Sequence, residues 1–284
     1  YGGEPILEID KIVQLSNELR QICAVQNIKY FASINTNLYY FNNEMGQRLI
    51  DAGITALNTT LIPGKKLHDT YRTTSDNRPT FFVIYENIKK AVNFFDVTIN
   101  MNITNCCTIE DVKMLLELLQ KDCSEQFKVY FSRVENCGKG NSSIFMPKEV
   151  YRTFYMECLK VVQELGIKTS LTSNFYNKCI FCSAQHRYSF LVLGDGLLFK
   201  CTERFTSEDA VGYVDKCGFH LNQFFHRNVS DPFNDKKCKS CVLLPYCNGG
   251  CTSKRAIGKD YCPEEKDYLD DILRITVDQI VQNW

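Results

Sequence analysis

Nine of the chain's fifteen cysteines crowd between Cys179 and Cys262. Cys238-x2-Cys241-x5-Cys247-x3-Cys251, followed after ten residues by Cys262, places five thiols within 25 positions. Upstream, Cys182 is followed by thirteen residues, then Gly196, then four more and Cys201. Thiolates at such separations repel one another unless a cation neutralises them, so metal binding is the economical reading. Ligand chemistry by itself admits four-cysteine zinc knuckles as readily as iron–sulfur clusters, because both use thiolates and CxxC spacing. The remaining cysteines, Cys23, Cys106, Cys107, Cys123, Cys137 and Cys158, are scattered over the first 170 residues. In a cytosol that keeps thiols reduced, so many cysteines are metal ligands or reactive thiols rather than disulfides.

The elements that must position these groups change character near residue 170. Before it, helical and strand patterns alternate. Ile12, Leu15, Leu19, Ile22 and Cys23 fall on one helical face, and Tyr30, Ala32 and Ile34 then alternate as a strand does. A short helix from Glu44 to Ala52 stops at Gly53 and leads into a strand over Ile54–Thr60, and a helix from Thr80 to Phe95 precedes the alternating Val97, Ile99, Met101 and Ile103. Thr108 and Asp111 form the ends of a capping box before Leu115, Leu116 and Leu119, and Phe127–Arg133 is the next strand. Pro147 opens a helix that runs to Leu165 and ends at Gly166. Such repeated units predict an α/β fold whose parallel sheet is open or curved into a partial barrel. After residue 170 the rhythm is lost. Gly194-Asp195-Gly196 predicts a tight hairpin between Tyr188–Leu193 and Leu197–Cys201, turn-rich sequence runs through Pro232, and a helix from Glu264 closes the chain. The expected organisation is therefore a domain over 1–170 and a cysteine-rich one over 171–284.

Charge is balanced, 33 basic against 33 acidic residues, which argues against a nucleic-acid or membrane surface. The longest apolar runs are too short to span a bilayer, no signal peptide is visible, and a cytoplasmic location is expected.

The cysteine spacing also resembles a family pattern. C-x9–15-G-x4-C, gap, C-x2-C-x5-C-x3-C, gap, C is the SPASM pattern of radical SAM enzymes, and all seven cysteines and the glycine match it. Leu244-Pro245-Tyr246-Cys247-Asn248-Gly249-Gly250-Cys251 is similar to the family's LPxCxGGC. Carried over by position, the resemblance implies two auxiliary [4Fe–4S] clusters with interleaved ligands: Cys179, Cys182, Cys201 and Cys251 for the first, Cys238, Cys241, Cys247 and Cys262 for the second. Cys217 belongs to neither set. At the other end, Gly2-Gly3-Glu4-Pro5 resembles the GGEP motif that holds the methionine amino group of S-adenosylmethionine (SAM). Thr36-Asn37 resembles TNG without its glycine, and His68-Asp69-x-x-Arg72 resembles HDxxR. Thr60 falls where relatives place a hydroxyl against SAM, although Ile62-Pro63 replaces the usual Asp-Gly. The implied fold is a partial (β/α) barrel of radical SAM type followed by a SPASM domain with a β-hairpin and a C-terminal helix.

The radical SAM cluster itself requires CxxxCxxC upstream of GGEP, and no such spacing occurs; Cys247-x3-Cys251 has Lys254 where the third ligand would stand. The expectation is a chain truncated before GGEP and inactive alone, whose missing part carries that cluster. The resemblance implies a 5′-deoxyadenosyl radical that abstracts hydrogen from a ribosomally made precursor peptide, forming a thioether or carbon–carbon crosslink. The auxiliary clusters would take up electrons, and a flavodoxin- or ferredoxin-type reductant would supply them. Sulfatase-maturase-like oxidation of Ser or Cys is the alternative. It is disfavoured by Thr202, which stands where those relatives carry an acidic residue after the cysteine, although Glu203 is adjacent. A non-catalytic zinc-knuckle module is a further alternative.

Other residues have plainer readings. His68, His186, His220 and His226 lack ligand spacing and read as structural or surface histidines. Arg133 and Glu135, at a strand end, read as a surface pair sooner than a ligand contact. Phe224 and Phe225 read as core.

Overall fold

The computed structural model describes residues 3–123, 126–134, 144–169, 182–226, 231–259, 261–263, 266 and 269–282. The chain divides into two compact units, Tyr1–Thr172 with Ile275–Trp284, and Ser173–Arg274.

The first unit is α/β, as the periodicity predicts. Strands β1 (Ala32–Asn35), β2 (Ile54–Leu61), β3 (Asp96–Ile103), β4 (Phe127–Arg133) and β5 (Lys168–Thr169) form a five-stranded sheet in chain order. Every neighbouring pair in it is parallel. The helices are α1 (Ile9–Val25), α2 (Asn43–Asp51), α3 (Lys65–Tyr71), α4 (Phe81–Ala91), α5 (Ile109–Cys123) and α6 (Lys148–Glu164). Strand alternation sorts the side chains. Leu57, Leu61, Val97, Ile99, Met101, Ile103 and Val129 are fully buried, together with Leu49, Ile88, Leu116 and Val162 of the helices. The intervening positions, Asn58, Thr60, Thr98, Asn100, Asn102, Tyr130 and Ser132, are polar and half-buried. Parallel sheets are normally apolar on both faces. A second face of paired amides and hydroxyls, such as Asn58 Nδ2 to Asn35 Oδ1 at 2.8 Å, is therefore a lumen surface and not a second core.

Two expectations need correction. The apolar stripe of α1 does not face a core, because Leu15, Leu19 and Ile22 are 57%, 40% and 60% exposed. The buried positions are Ile9 and Ser16. Ser16 Oγ donates to Ala52 O at 2.9 Å and pairs with Tyr30 Oη at 2.7 Å, so α1 is anchored through a polar point that helical periodicity does not reveal. In the second unit, the turn-rich stretch before Pro232 contains a further hairpin. Strands β6 (Leu191–Val192), β7 (Leu197–Phe199), β8 (Gly212–Asp215) and β9 (Gly218–Leu221) form an antiparallel four-stranded sheet. Each of β8 and β9 is four residues long and begins with a glycine, which leaves only three side chains to show an alternation. Gly212 lies where a Cβ would meet His220 O at 2.1 Å. The Gly194-Asp195-Gly196 hairpin forms as expected, with Leu193 N donating to Leu197 O. Phe225 joins Leu198 and Val211 in the small core beneath this sheet. Among the described residues no helix is long and apolar enough to cross a membrane.

The capping box at α5 forms reciprocally. Asp111 N donates to Thr108 Oγ1 at 3.1 Å, while Thr108 Oγ1 donates to Asp111 Oδ2 at 2.8 Å. Thr108→Ala is expected to cost about 1 kcal/mol, measured as a lower urea midpoint with unchanged slope.

Candidate functional site

In a parallel sheet all strands end at one edge, and ligands collect there. Gly2 lies outside the described residues; Gly3 takes a positive φ of 56°, and Pro5 opens a turn over Pro5–Glu8. Glu4 is drawn to the C-terminal end of β1. Its Oε1 accepts from Thr36 Oγ1 and from Ile6 N at 3.3 Å, and its Oε2 accepts from Asn37 N at 2.8 Å. Thr36 is itself fixed, since its Oγ1 accepts from Leu38 N at 3.0 Å. A carboxylate offers roughly four acceptor positions. Three are occupied, which orients the group and leaves room for one further donor such as an ammonium.

The HDxxR segment lies on α3 and divides its labour. His68 is fully buried; its Nδ1 accepts from Ile62 N at 3.2 Å, and its Nε2 donates to Thr80 Oγ1 at 3.2 Å, because Thr80 Oγ1 donates onward to Arg72 O. Burial, then the Arg72 charge, lower its pKa to about 4, with Asp69 opposing, so the neutral ring is a structural pin. Asp69 Oδ1 accepts from Thr80 N at 2.9 Å and Phe81 N at 2.8 Å, which caps the start of α4. Arg72 alone faces the recess. Its Nε is buried with no partner among the described residues; desolvation lowers its pKa against the pull of Glu4. Arg72 and Asn37 line a solvent-open recess of about 1200 Å³ together with Tyr39, Tyr40, Tyr71 and Arg78. The tyrosines and Arg78 were not singled out from the sequence, since nothing in their local pattern distinguishes them from surface residues. Thr60 is half-buried on the lumen face near the end of β2. Arg133 turns to Met146 O at 3.4 Å, and Glu135 lies outside the described residues.

The cysteine-rich unit contains the short helices α7 (Lys236–Lys239), α8 (Leu244–Cys247) and α9 (Thr252–Ala256), and α10 (Leu269–Gln282) begins in it and continues from Ile275 as part of the first unit. Asp235 starts α7 by accepting from Lys237 N at 2.8 Å, and Cys238 sits in that first turn. Asn248, left-handed at φ 49°, ends α8 directly after Cys247. Cys251 then caps α9, its Sγ accepting from Lys254 N at 3.5 Å. Cys251 N donates to Tyr261 O at 2.9 Å, which brings the Tyr261-Cys262 segment back alongside. Gly250 makes that approach possible, since a Cβ there would lie 2.0 Å from Tyr261 O. The result is one recess, about 310 Å³, lined by Cys238, Cys241, Cys247 and Cys262 with Leu243, Leu244, Gly249 and Gly250. The four thiols stand around its walls. Among the described residues, no three Cys, His, Asp or Glu side chains converge as a single-ion site does.

Of the other set, Cys179 lies outside the described residues. Cys182 starts the turn Ser183–Gln185, and α9, started by Cys251, packs on that turn. Cys201 is joined to the same segment by its neighbour. Lys200 Nζ, 5% exposed as a residue, donates to His186 O at 2.6 Å and Ser189 O at 2.7 Å and lies over the Phe190 and Phe225 rings. Sequence reasoning missed Lys200, whose buried position only the aromatic cage explains. The described cysteines are free thiols. Cys217 is exposed at the β8–β9 turn, and burial pushes the Cys123 thiol up to about 11.

No protein-family model matches the chain. Among curated proteins, the cysteine-type anaerobic sulfatase-maturating enzyme of Clostridium novyi (strain NT) is 25% identical over 280 residues, covering 88% of this chain and 71% of that protein. Among solved structures, native anSMEcpe with bound AdoMet superposes with a TM-score of 0.73 at 14% identity, over 99% of this chain and 83% of that one. Native anSMEcpe with bound AdoMet and Kp18Cys peptide gives the same TM-score of 0.73 at 14% identity and the same coverage, 99% and 83%. The solved structures establish the fold, an α/β fold of radical SAM type.

The buried neutral His68 sets a pH dependence. With a folded pKa of about 4 against 6.5 when unfolded, the unfolded chain binds the extra proton between those values, so stability is full above 6.5 and falls on acidification toward 4. The loss, on the order of 3 kcal/mol, is expected in urea titrations across this range and should flatten in His68→Gln.

Proposed function

We propose that the chain is a radical SAM enzyme acting on a peptide or protein substrate, and that its reaction is the oxidation of a cysteine side chain of the sulfatase-maturating kind. The observation that carries this reading is the likeness to a cysteine-type sulfatase-maturating enzyme over 88% of the chain. The resolved complexes of anSMEcpe with AdoMet and the Kp18Cys or Cp18Cys peptide support a peptide substrate.

Within this reading Glu4 would accept a hydrogen bond from the SAM ammonium at its remaining acceptor position, and the half-buried guanidinium of Arg72 would pair with the SAM carboxylate. Thr60 offers a hydroxyl from the lumen face, and Gly2, Gly3 and Pro5 shape the loop that carries Glu4. When bound, SAM supplies the hydrogen-abstracting 5′-deoxyadenosyl radical, and iron–sulfur clusters supply electron transfer. No residue of the chain is assigned to the cluster that cleaves SAM. The cysteine-rich unit, Ser173–Arg274, is the SPASM domain, and the first unit is the barrel. Cys238, Cys241, Cys247 and Cys262 hold one auxiliary [4Fe–4S] cluster, and Cys179, Cys182, Cys201 and Cys251 the other. The lining of one recess by the first four supports a shared metal group, and their spacing, which resembles the SPASM pattern, selects a [4Fe–4S] cluster over zinc. Free thiols and a low-potential reductant of flavodoxin or ferredoxin type fit a cytoplasmic setting.

Peptide crosslinking is the second reading, and one observation favours it. Thr202 follows Cys201 where sulfatase-maturing relatives carry an acid. Glu203 is next in line, its N–H donated to Cys201 Sγ at 3.4 Å.

After anaerobic reconstitution the chain should carry about eight irons with matching sulfide; two zincs without sulfide would overturn the cluster assignment. The gene product as encoded, given SAM, a reductant and a cysteine-bearing sulfatase peptide, should release 5′-deoxyadenosine and leave an aldehyde on the peptide, detected with a carbonyl probe. A peptide that loses hydrogen without gaining a carbonyl would select crosslinking.

A further inference from the structure

Arg255 stands apart from the other cations near the cysteine recess because its guanidinium donates to sulfur. Its Nη2 lies 3.1 Å from Cys238 Sγ and also donates to Gly249 O, while Nη1 donates to Asp235 Oδ2 at 2.7 Å. The side chain is 14% exposed, and the plane of the guanidinium lies 4.0 Å from the centroid of the Tyr261 ring. Tyr261 Oη donates to the same Asp235 oxygen at 2.6 Å. Arg255 is thus gripped from three sides by Asp235, Gly249 and Tyr261, which belong to the segments that carry Cys238, Cys251 and Cys262.

Such a grip does more than join loops. A flexible surface arginine would give little, because holding it in place costs rotamer freedom and water screens its charge. Here the charge is partly desolvated and its direction toward one cysteine sulfur is locked. Residues 236–259 contain Lys236, Lys237, Lys239, Lys254, Arg255 and Lys259, with Asp235, the partner of Arg255, and Asp260 bounding them.

We infer that Arg255 is a positioning and electrostatic residue for the group held by Cys238, Cys241, Cys247 and Cys262, raising its reduction potential through the N–H···S bond to Cys238. Reduction adds one electron to a cluster whose thiolates already carry negative charge, and hydrogen bonds to the sulfurs and nearby charge set how readily that electron is accepted. A cation within hydrogen-bond distance of a ligand sulfur favours the reduced state. Arg255 therefore makes this cluster a readier electron acceptor than it would be without that charge and that N–H···S bond. The inference rests on the [4Fe–4S] reading above, and a wild-type chain that binds zinc without sulfide would remove both.

The test uses the anaerobically reconstituted chain and the variants Arg255→Gln, which removes the charge, and Arg255→Lys, which keeps it but loses the planar fork. Iron and sulfide content reports loading, circular dichroism reports folding, and redox titration followed by electron paramagnetic resonance reports the midpoints. In loaded Arg255→Gln one midpoint should fall by at least a tenfold change in the reduction equilibrium, about 59 mV for one electron, while the other stays in place. Arg255→Lys should lie between that value and wild type, and it decides the matter if the Gln variant fails to load. Unmoved midpoints in a loaded variant would overturn the inference, as would equal shifts of both clusters. Loss of four irons from both variants in a folded chain would also overturn it, by reducing Arg255 to a structural clamp.

Discussion

The period of two along five parallel strands is the constraint on which the rest of the first unit depends. Side chains at alternate positions of β2, β3 and β4 must share a face, so Leu57, Ile99 and Val129 enter the helix-covered core while Asn58, Asn100 and Ser132 line the opposite side. A slip of one residue in any strand would exchange the two sets and place amides in the core. Because the strands are parallel, the same register also delivers every strand end to one edge. Thr36 and Asn37 then hold the carboxylate of Glu4, within electrostatic reach of Arg72 at the end of α3.

Polar side chains at that edge are consumed in different ways. His68 and Asp69 spend their hydrogen-bonding capacity on Ile62, Thr80 and the start of α4, and they hold α3 in place. Arg72, one turn further on, keeps a buried Nε without a partner among the described residues. Leaving a buried donor unsatisfied costs free energy, and a ligand acceptor would recover it. The motif thus separates into scaffold and site on physical grounds, independently of any relative.

The second unit solves a different problem. With few apolar side chains, its knuckle is held by caps, by close backbone approach at Gly250, and by the Asp235–Arg255–Tyr261 group. The four thiols around one recess lie beside a stretch, residues 236–259, that carries five lysines and one arginine and is bounded by Asp235 and Asp260.

By itself the sequence determined what local rules can carry: the strand–helix rhythm up to residue 169, the Thr108–Asp111 capping box, the Gly194–Gly196 hairpin and the cysteine spacing. Each depends on neighbours a few positions apart, so composition and period suffice to read them. Tertiary structure alone decided the rest. The stripe of α1 has the correct helical period yet stays exposed, because burial depends on what packs against a face and not on the period of that face. Strands β8 and β9 escaped notice because each is only four residues long and opens on a glycine, too short for a period of two to stand out. Cys262 joins Cys238, Cys241 and Cys247 through a backbone bond between Cys251 and Tyr261, and Arg255 finds Cys238 seventeen positions away. Contacts of that kind are set by the folded path of the chain, which spacing can suggest but cannot draw.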